Sequence, residues 1–125
     1  LYPYQGDWRS ANVYREAQEL RHPLIVAQTE ARTGRLPRMY SLVQSVPDHV
    51  VVGSVRTTTR GDGLLVRLWE TEGVGCRAEV TVGSPLLAAE ELTLLNEGPL
   101  PLEYAGNTAF VPIDSFQVKT VRIMY

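Results

Sequence analysis

The sequence predicts a mainly β protein, a two-layer antiparallel β-sandwich of about eight strands with one short N-terminal helix. Three observations support this prediction. Beyond Pro23 the hydrophobic period changes from helical to two. Short apolar runs are separated by Gly, Pro and Asp, which favour turns. The runs recur about every 8 to 15 residues, the spacing that is typical of a sandwich.

One helix is predicted near the start of the chain, over residues 8–20. Asp7 precedes it as an N-cap, because its carboxylate can accept hydrogen bonds from the free amides of the first turn. His22-Pro23 ends the helix, since proline disfavours helical geometry at the residue before it. We expect this helix to pack at an edge of the sandwich.

The strands follow in order, each a short run bounded by turn residues. Arg60-Gly61-Asp62-Gly63 supplies the permissive backbone of a hairpin. Residues 86–96 also have helical propensity, but their flanking Gly and Pro residues favour a strand, and 98–101 is predicted to be a stiff extended connector. The predicted strands are residues 24–28, 42–46, 50–57, 64–70, 77–82, 86–96, 108–113 and 117–124.

Alternation is clearest in residues 64–70 and 77–82, where apolar and polar side chains point to opposite faces. In the first of these strands, Arg67 and Trp69 share the face opposite to the core. Such a partly apolar face is expected to be covered by the helix or by a neighbouring domain. Arg67 and Trp69 are therefore candidates for a domain interface.

Composition narrows the classes of function. A chain of 125 residues is the size of one domain, so we expect a single domain over residues 1–125. The net charge of −2 gives no positive field for nucleic acid. No apolar run reaches the length of a membrane span, and the first residues lack the order of a secretory signal. We expect no membrane partner and a cytoplasmic location. Because the chain has no initiator Met, we expect its N-terminal boundary to be a truncation or a cleavage point.

No motif in the chain predicts a reaction centre. Cys76 is the only cysteine, and His22 and His49 are the only histidines, so the sequence predicts no metal ligands and no nucleophile with its base. Glu70 with Glu72, or Glu90 with Glu91, could supply a glycosidase with its two carboxyl groups. However, adjacent glutamates on a strand point apart, and we expect no catalytic residue here. The Arg60-Gly61-Asp62 tripeptide is interpreted as a hairpin turn.

Seven phrases of the chain together resemble the C-terminal β-sandwich region of family-38 glycoside hydrolases, the α-mannosidases. His22 stands where that family usually has Asn, and Ser115 where proline is usual. The phrases are Leu-Tyr-Pro at 1–3, Gly-Asp-Trp-Arg at 6–9, Tyr-Arg-Glu-Ala-Gln-Glu-Leu at 14–20, His-Pro-Leu at 22–24, Asp-Gly-Leu-Leu-Val-Arg-Leu-Trp-Glu at 62–70, Glu-Leu-Thr-Leu-Leu-Asn-Glu at 91–97 and Phe-Gln-Val-Lys-Thr-Val-Arg-Ile at 116–123.

The resemblance implies a non-catalytic structural domain of a retaining enzyme that hydrolyses α-mannosides. The catalytic Asp and a divalent metal, usually zinc, would belong to an N-terminal catalytic domain of the same polypeptide that is absent from these residues. No cofactor is expected in this part. The domain would pack against the catalytic domain and lend a loop to the rim of the sugar pocket. Our hypothesis for that loop is Gly6-Asp7-Trp8-Arg9, with Asp7, Trp8 and Arg9 as the rim candidates; the alternative is that Trp8 packs the helix against the sandwich. Because alternating valines and Gly-Asp-Gly turns occur in many β domains, an independent carbohydrate-binding or adhesion module is the alternative.

Overall fold

A computed structural model describes all 125 residues, and the contacts of the chain group into two units, residues 1–39 and residues 40–125. The first, which we call the N-terminal unit, contains the only helix. The second, the sandwich unit, contains all nine strands. A single domain over the whole chain stays a prediction. No helix has the length and apolar character needed to cross a membrane.

The elements occur in the predicted order of one helix followed by strands. They are α1 (Val13–Arg21), β1 (Val43–Val46), β2 (Val50–Thr57), β3 (Gly63–Glu70), β4 (Cys76–Val82), β5 (Ala88–Leu92), β6 (Leu100–Pro101), β7 (Tyr104–Ala105), β8 (Thr108–Ile113) and β9 (Val118–Met124).

The nine strands form two antiparallel sheets, as the sequence predicts for a sandwich. One sheet has four strands in the order β1-β4-β8-β7, and the other has five in the order β2-β3-β9-β5-β6. The central strands of the larger sheet, β3 and β9, come from the middle and the end of the chain. The core therefore depends on pairing between residues that are far apart in sequence.

The core consists of the inward-facing side chains of both sheets, and it confirms the alternation predicted for β3 and β4. In β3 the residues at 64, 66 and 68 are buried, while Arg67 is half-buried and Trp69 exposed. Burying apolar side chains on one face of each sheet is the main favourable term in folding. The buried apolar cluster is Val50, Leu64, Val66, Leu68, Ala78, Val80, Val82, Leu86, Ala89, Ala109, Val111, Ile113, Val121 and Ile123.

The predicted hairpin between β2 and β3 is confirmed. Thr58 N donates to Gly63 O at 3.0 Å, and Gly61 has the left-handed φ of 75° that glycine tolerates. The Thr58 hydroxyl donates to Asp62 Oδ1 at 2.5 Å and accepts from the Asp62 amide at 3.1 Å. This Thr58 hydrogen bond leads the causes that lower the pKa of Asp62, so its carboxylate stays ionised at the tip.

The N-terminal predictions were wrong in two places. The helix begins at Val13 rather than at residue 8, because residues 8–12 form turns and Asn12 has a left-handed φ of 50°. Asp7 does not cap it with its side chain. The predicted strand over 24–28 is absent, and Leu24, Ile25 and Val26 are at least 90% exposed. An apolar run forms a strand only where a partner strand pairs with it.

Two short strands lie where the sequence predicted a connector or a loop. Leu100–Pro101 forms β6 against β5, and Tyr104–Ala105 forms β7 against β8. Both are edge strands, where the missing amide hydrogen of a proline costs no ladder bond. Pro112 of β8 also has one open side. It pairs with Arg77 of β4 on one side, whereas β7 on the other side pairs only with residues 108 and 109. The strand preferred over 86–96 is confirmed for Ala88–Leu92.

Candidate functional site

The three candidates for the rim of a sugar pocket lie together in the N-terminal unit. Arg9 Nη1 donates to Asp7 Oδ2 at 3.3 Å, and the Arg9 guanidinium lies 4.4 Å from the centroid of the Trp8 ring. This is a cation–π pair held in place by an exposed carboxylate. Trp8 and Arg9 are half-buried and Asp7 is exposed. The arrangement offers a carboxylate, a guanidinium and an indole within one turn, and its contact with sugar stays a prediction.

The two interface candidates lie on the outward face of the five-stranded sheet. Trp69 is 39% exposed and is flanked across the sheet by Val51 of β2 and Val118 of β9. Arg67 Nη2 donates to the carbonyl oxygen of Leu94 at 3.1 Å, so the β5–β6 loop, residues 93–99, holds this guanidinium. Trp69 and Val118 are exposed and Val51 is half-buried, and we call these three residues the exposed apolar row of this face. The interface role stays a prediction.

A buried carboxylate that the sequence did not single out for this role joins β3 to the turn before β9. Glu70 is fully buried, and its carboxylate accepts from the amides of Glu72 at 2.7 Å, Gly73 at 2.8 Å and Phe116 at 2.7 Å. Burial acts to raise the pKa of Glu70, but these backbone donors, that of Phe116 first, outweigh it and lower the pKa. Because both oxygens are engaged, Glu70 is a structural anion.

The surroundings of Glu70 fit the same structural role. Gly73 has φ 79°, and a Cβ there would lie 2.6 Å from the Phe116 ring. The Ser115 hydroxyl donates to the carbonyl of Gly73 at 2.9 Å. Burial, followed by the charge of Glu70, raises the pKa of the Cys76 thiol. We call Glu70, Gly73, Ser115 and Phe116 the Glu70 staple.

The glutamates at 90 and 91 point to opposite faces of β5, as predicted. Glu90 Oε2 accepts from Arg122 Nε at 2.7 Å and also from Nη2, while Glu91 Oε2 accepts from Lys119 Nζ at 2.7 Å. Each carboxylate is therefore committed to a different cation of β9. No group of three or more His, Cys, Asp or Glu residues is arranged to hold a metal ion in the structure.

A cleft of about 430 Å³ lies on the outward face of the five-stranded sheet. The β2–β3 hairpin forms one wall, and Asn96 of the β5–β6 loop forms the other. Arg122 lies on its floor and is held there by Glu90. Its lining residues are Thr58, Thr59, Arg60, Asp62, Leu65, Leu92, Asn96, Arg122 and Met124.

The sequence contained partial signals for this cleft. Arg122 lies between the apolar residues Val121 and Ile123, and Asn96 follows Leu94-Leu95 two residues before Gly98. What the sequence could not supply is the register that sets Leu65, Arg122 and Glu90 in one row across β3, β9 and β5. That row brings the hairpin and the β5–β6 loop to the same face.

The chain was also compared with known proteins. No model of a protein family, no curated protein and no solved structure matched it. The resemblance to family-38 glycoside hydrolases therefore stays a prediction that depends on the phrases quoted above.

Proposed function

We propose that this chain is a non-catalytic structural domain of a retaining, metal-dependent α-mannosidase. Its partner is the catalytic domain of the same polypeptide, which would hold the zinc or other divalent metal and the α-mannoside substrate. Its location in this proposal is cytoplasmic. The domain packs against the catalytic domain and contributes residues 7–9 to the rim of the sugar pocket.

The observation that carries the proposal is the Glu70 staple. Glu70 is the last residue of the phrase Arg-Leu-Trp-Glu. Phe116 is the first residue of the last phrase that carries the resemblance, residues 116–123. The buried Glu70 carboxylate joins these two phrases by its hydrogen bond from the Phe116 amide. These two phrases are thus engaged in building the sandwich, which is what a supporting domain requires.

The exposed apolar row beside the staple supports a docking role. Trp69 follows Arg67 on the outward face, and Val51 and Val118 extend the row to either side. Aromatic residues in partly exposed apolar surroundings are enriched at interfaces. A catalytic domain placed on this face would bury the indole that the sandwich leaves 39% exposed.

The coding sequence upstream of Leu1 tests the proposal. We expect it to encode an α/β domain rich in Asp and His, and an upstream region without such a domain would contradict the proposal. In that parent polypeptide, Trp69→Ala is expected to lower the melting temperature with kcat unchanged. Tyr125→Ala, at a residue that is 43% exposed, is the matched control.

The rim role of the N-terminal unit needs a kinetic test of its own. In the parent enzyme, Trp8→Ala is expected to raise KM for an aryl α-mannoside several-fold if the indole contacts substrate. Unchanged kinetics with lowered stability would assign Trp8 to packing instead. The alternative function, an independent carbohydrate-binding module, is favoured by the cleft on the five-stranded sheet, and the upstream coding sequence also separates these two functions.

A further inference from the structure

We propose that the cleft between the β2–β3 hairpin and the β5–β6 loop is a binding site for a neutral sugar ring. The expectation that an α-mannoside fits it rests on the proposed function. The existence of a polar ligand site rests on the cleft alone. This site is distinct from the predicted rim at residues 7–9, because every lining residue belongs to the sandwich unit.

The floor of the cleft combines apolar and polar groups. Leu65 of β3 and Arg122 of β9 are direct neighbours across the sheet, and Met124 lies two residues further along β9. Leu92 of β5 is only 5% exposed and closes the apolar part. Sugar rings present C–H groups on one face and hydroxyls around the edge, so a floor of this kind suits them.

The walls of the cleft supply both hydrogen-bond donors and hydrogen-bond acceptors. Asp62 offers a carboxylate that its bond from Thr58 holds in place, and Asn96 offers an amide donor and acceptor. Asn96 has a left-handed φ of 65°, and its backbone N–H donates to the carbonyl oxygen of Thr93 at 2.9 Å. The backbone therefore fixes the position from which the Asn96 side chain extends.

The charges of the cleft favour a neutral ligand over an anion. Arg122 is paired with Glu90 through two nitrogens. Arg60 and Asp62 carry opposite charges two residues apart at the hairpin, so the two cations of the lining are balanced by nearby carboxylates. An anion would meet no net positive potential here. Hydroxyl groups, by contrast, can donate to the Asp62 carboxylate and accept from the guanidinium groups of Arg60 and Arg122.

Further polar groups lie in the next row of the same face. Arg67 and Thr120 are neighbours across β3 and β9, and Arg67 Nε and Thr120 Oγ1 are buried with no hydrogen-bond partner in the protein. Buried polar groups are normally satisfied. Neither residue lines the cleft, so these two atoms are an unsatisfied polar pair behind it and not contacts for a ligand. The cleft volume of about 430 Å³ lies within the range of small-molecule sites.

The two methionines of the chain provide the test. Met124 lines the cleft, whereas Met39 belongs to the N-terminal unit and is 89% exposed. In the full chain labelled at the methionine methyl groups, titration with methyl α-mannoside is expected to shift the Met124 signal saturably at millimolar concentrations. The Met39 signal is expected to stay in place. No shift of Met124 up to about 0.1 M, a range typical of weak ligands, would overturn the proposal.

Asn96→Gly removes the wall side chain and keeps the left-handed backbone. This variant is expected to weaken the mannoside-dependent shift of Met124 at least fivefold. Asn12→Gly makes the same change at another left-handed asparagine outside the cleft, and it is expected to leave the titration unchanged. Equal affinity in both variants would overturn the site.

Inorganic phosphate serves as the anion probe in the same titration. A saturable Met124 shift with phosphate and none with methyl α-mannoside would overturn the neutral ligand. A negative titration with both probes would leave the α-mannosidase proposal intact, because that proposal is tested by the upstream coding sequence. Conversely, mannoside binding to a chain without an upstream catalytic domain would support the site and contradict the proposed parent enzyme.

Discussion

At the scale of single residues, Glu70 determines how the end of β3 is connected to the start of β9. A buried carboxylate is costly unless it is hydrogen-bonded, and three backbone amides satisfy this one. The amides come from a loop next to Glu70 in sequence and from Phe116, 46 residues away. The Glu70 staple therefore links the turn that follows β3 to the turn that precedes β9.

Glu70→Gln is expected to destabilise the chain by about 2–3 kcal/mol, because one oxygen is replaced by an NH₂ group that faces backbone donors. Urea unfolding followed by circular dichroism measures the change. Glu79→Gln, at an exposed position of β4, is the control and is expected to change the free energy of unfolding by less than about 0.5 kcal/mol. A neutral effect of Glu70→Gln would contradict the structural role.

Because the pKa of Glu70 is lowered, the difference in stability between the native chain and Glu70→Gln should depend on pH. A carboxyl group whose folded pKa lies below its ordinary value of 4.5 stabilises the fold above that value. This stabilisation is lost as the pH falls through the folded pKa. The difference in unfolding free energy between the native chain and Glu70→Gln should therefore narrow below about pH 4.5. A constant difference down to pH 3 would contradict this sign.

At the scale of elements, the sequence predicted the strands whose alternation or turns are local signals. β3, β4 and the hairpin at Gly61 were predicted correctly, because side-chain period and turn chemistry act over a few residues. The strand over 24–28 was wrong, and β6 and β7 were missed. Two-residue strands are defined by their partners alone, and no local pattern indicates them.

The candidate site shows the same limit of prediction from local sequence patterns. Arg67 and Trp69 were placed on a common outward face by alternation, and the structure places them there. The cleft could not be predicted, because Arg122, Asn96 and the hairpin are brought together only by the strand order β2-β3-β9-β5. The sequence contains its residue types but not the register that assembles them.

Gly63→Ala tests the close approach between β3 and β9. A Cβ at Gly63 would lie 2.0 Å from the carbonyl oxygen of Ile123, so the two backbones must separate. We expect a loss of about 2–3 kcal/mol in urea unfolding, the upper range of overpacking effects. Gly53→Ala in β2 is the matched control, because its Cβ would make an ordinary contact of 3.6 Å with Arg67 O. Equal effects of the two substitutions would contradict the close approach.

At the scale of the whole molecule, the hydrophobic core belongs to the sandwich unit alone. Every residue of the buried apolar cluster lies between Val50 and Ile123, whereas α1 has no buried residue. A helix of nine residues without a buried face is only marginally stable in water. Stability of the chain should therefore reside in residues 40–125.

A chain of residues 40–125 is expected to unfold in one cooperative transition with a midpoint close to that of the full chain. Trp69 is the only tryptophan in it, so its fluorescence reports on the five-stranded sheet. The peptide 1–39 serves as the comparison and is expected to have little helical circular dichroism. Loss of the cooperative transition in residues 40–125 would contradict the placement of the core.

The prolines at the sheet edges bear on how the protein behaves at high concentration. An open strand edge can template pairing with another chain and so start aggregation. Pro101 ends the two-residue strand β6, and Pro112 occupies the stretch of β8 that β7 leaves uncovered. Neither proline can donate to an incoming strand. These two edges are thereby protected from strand addition and fibril growth. The opposite edge strands, β1 and β2, are longer, and they are where another copy of the chain could pair.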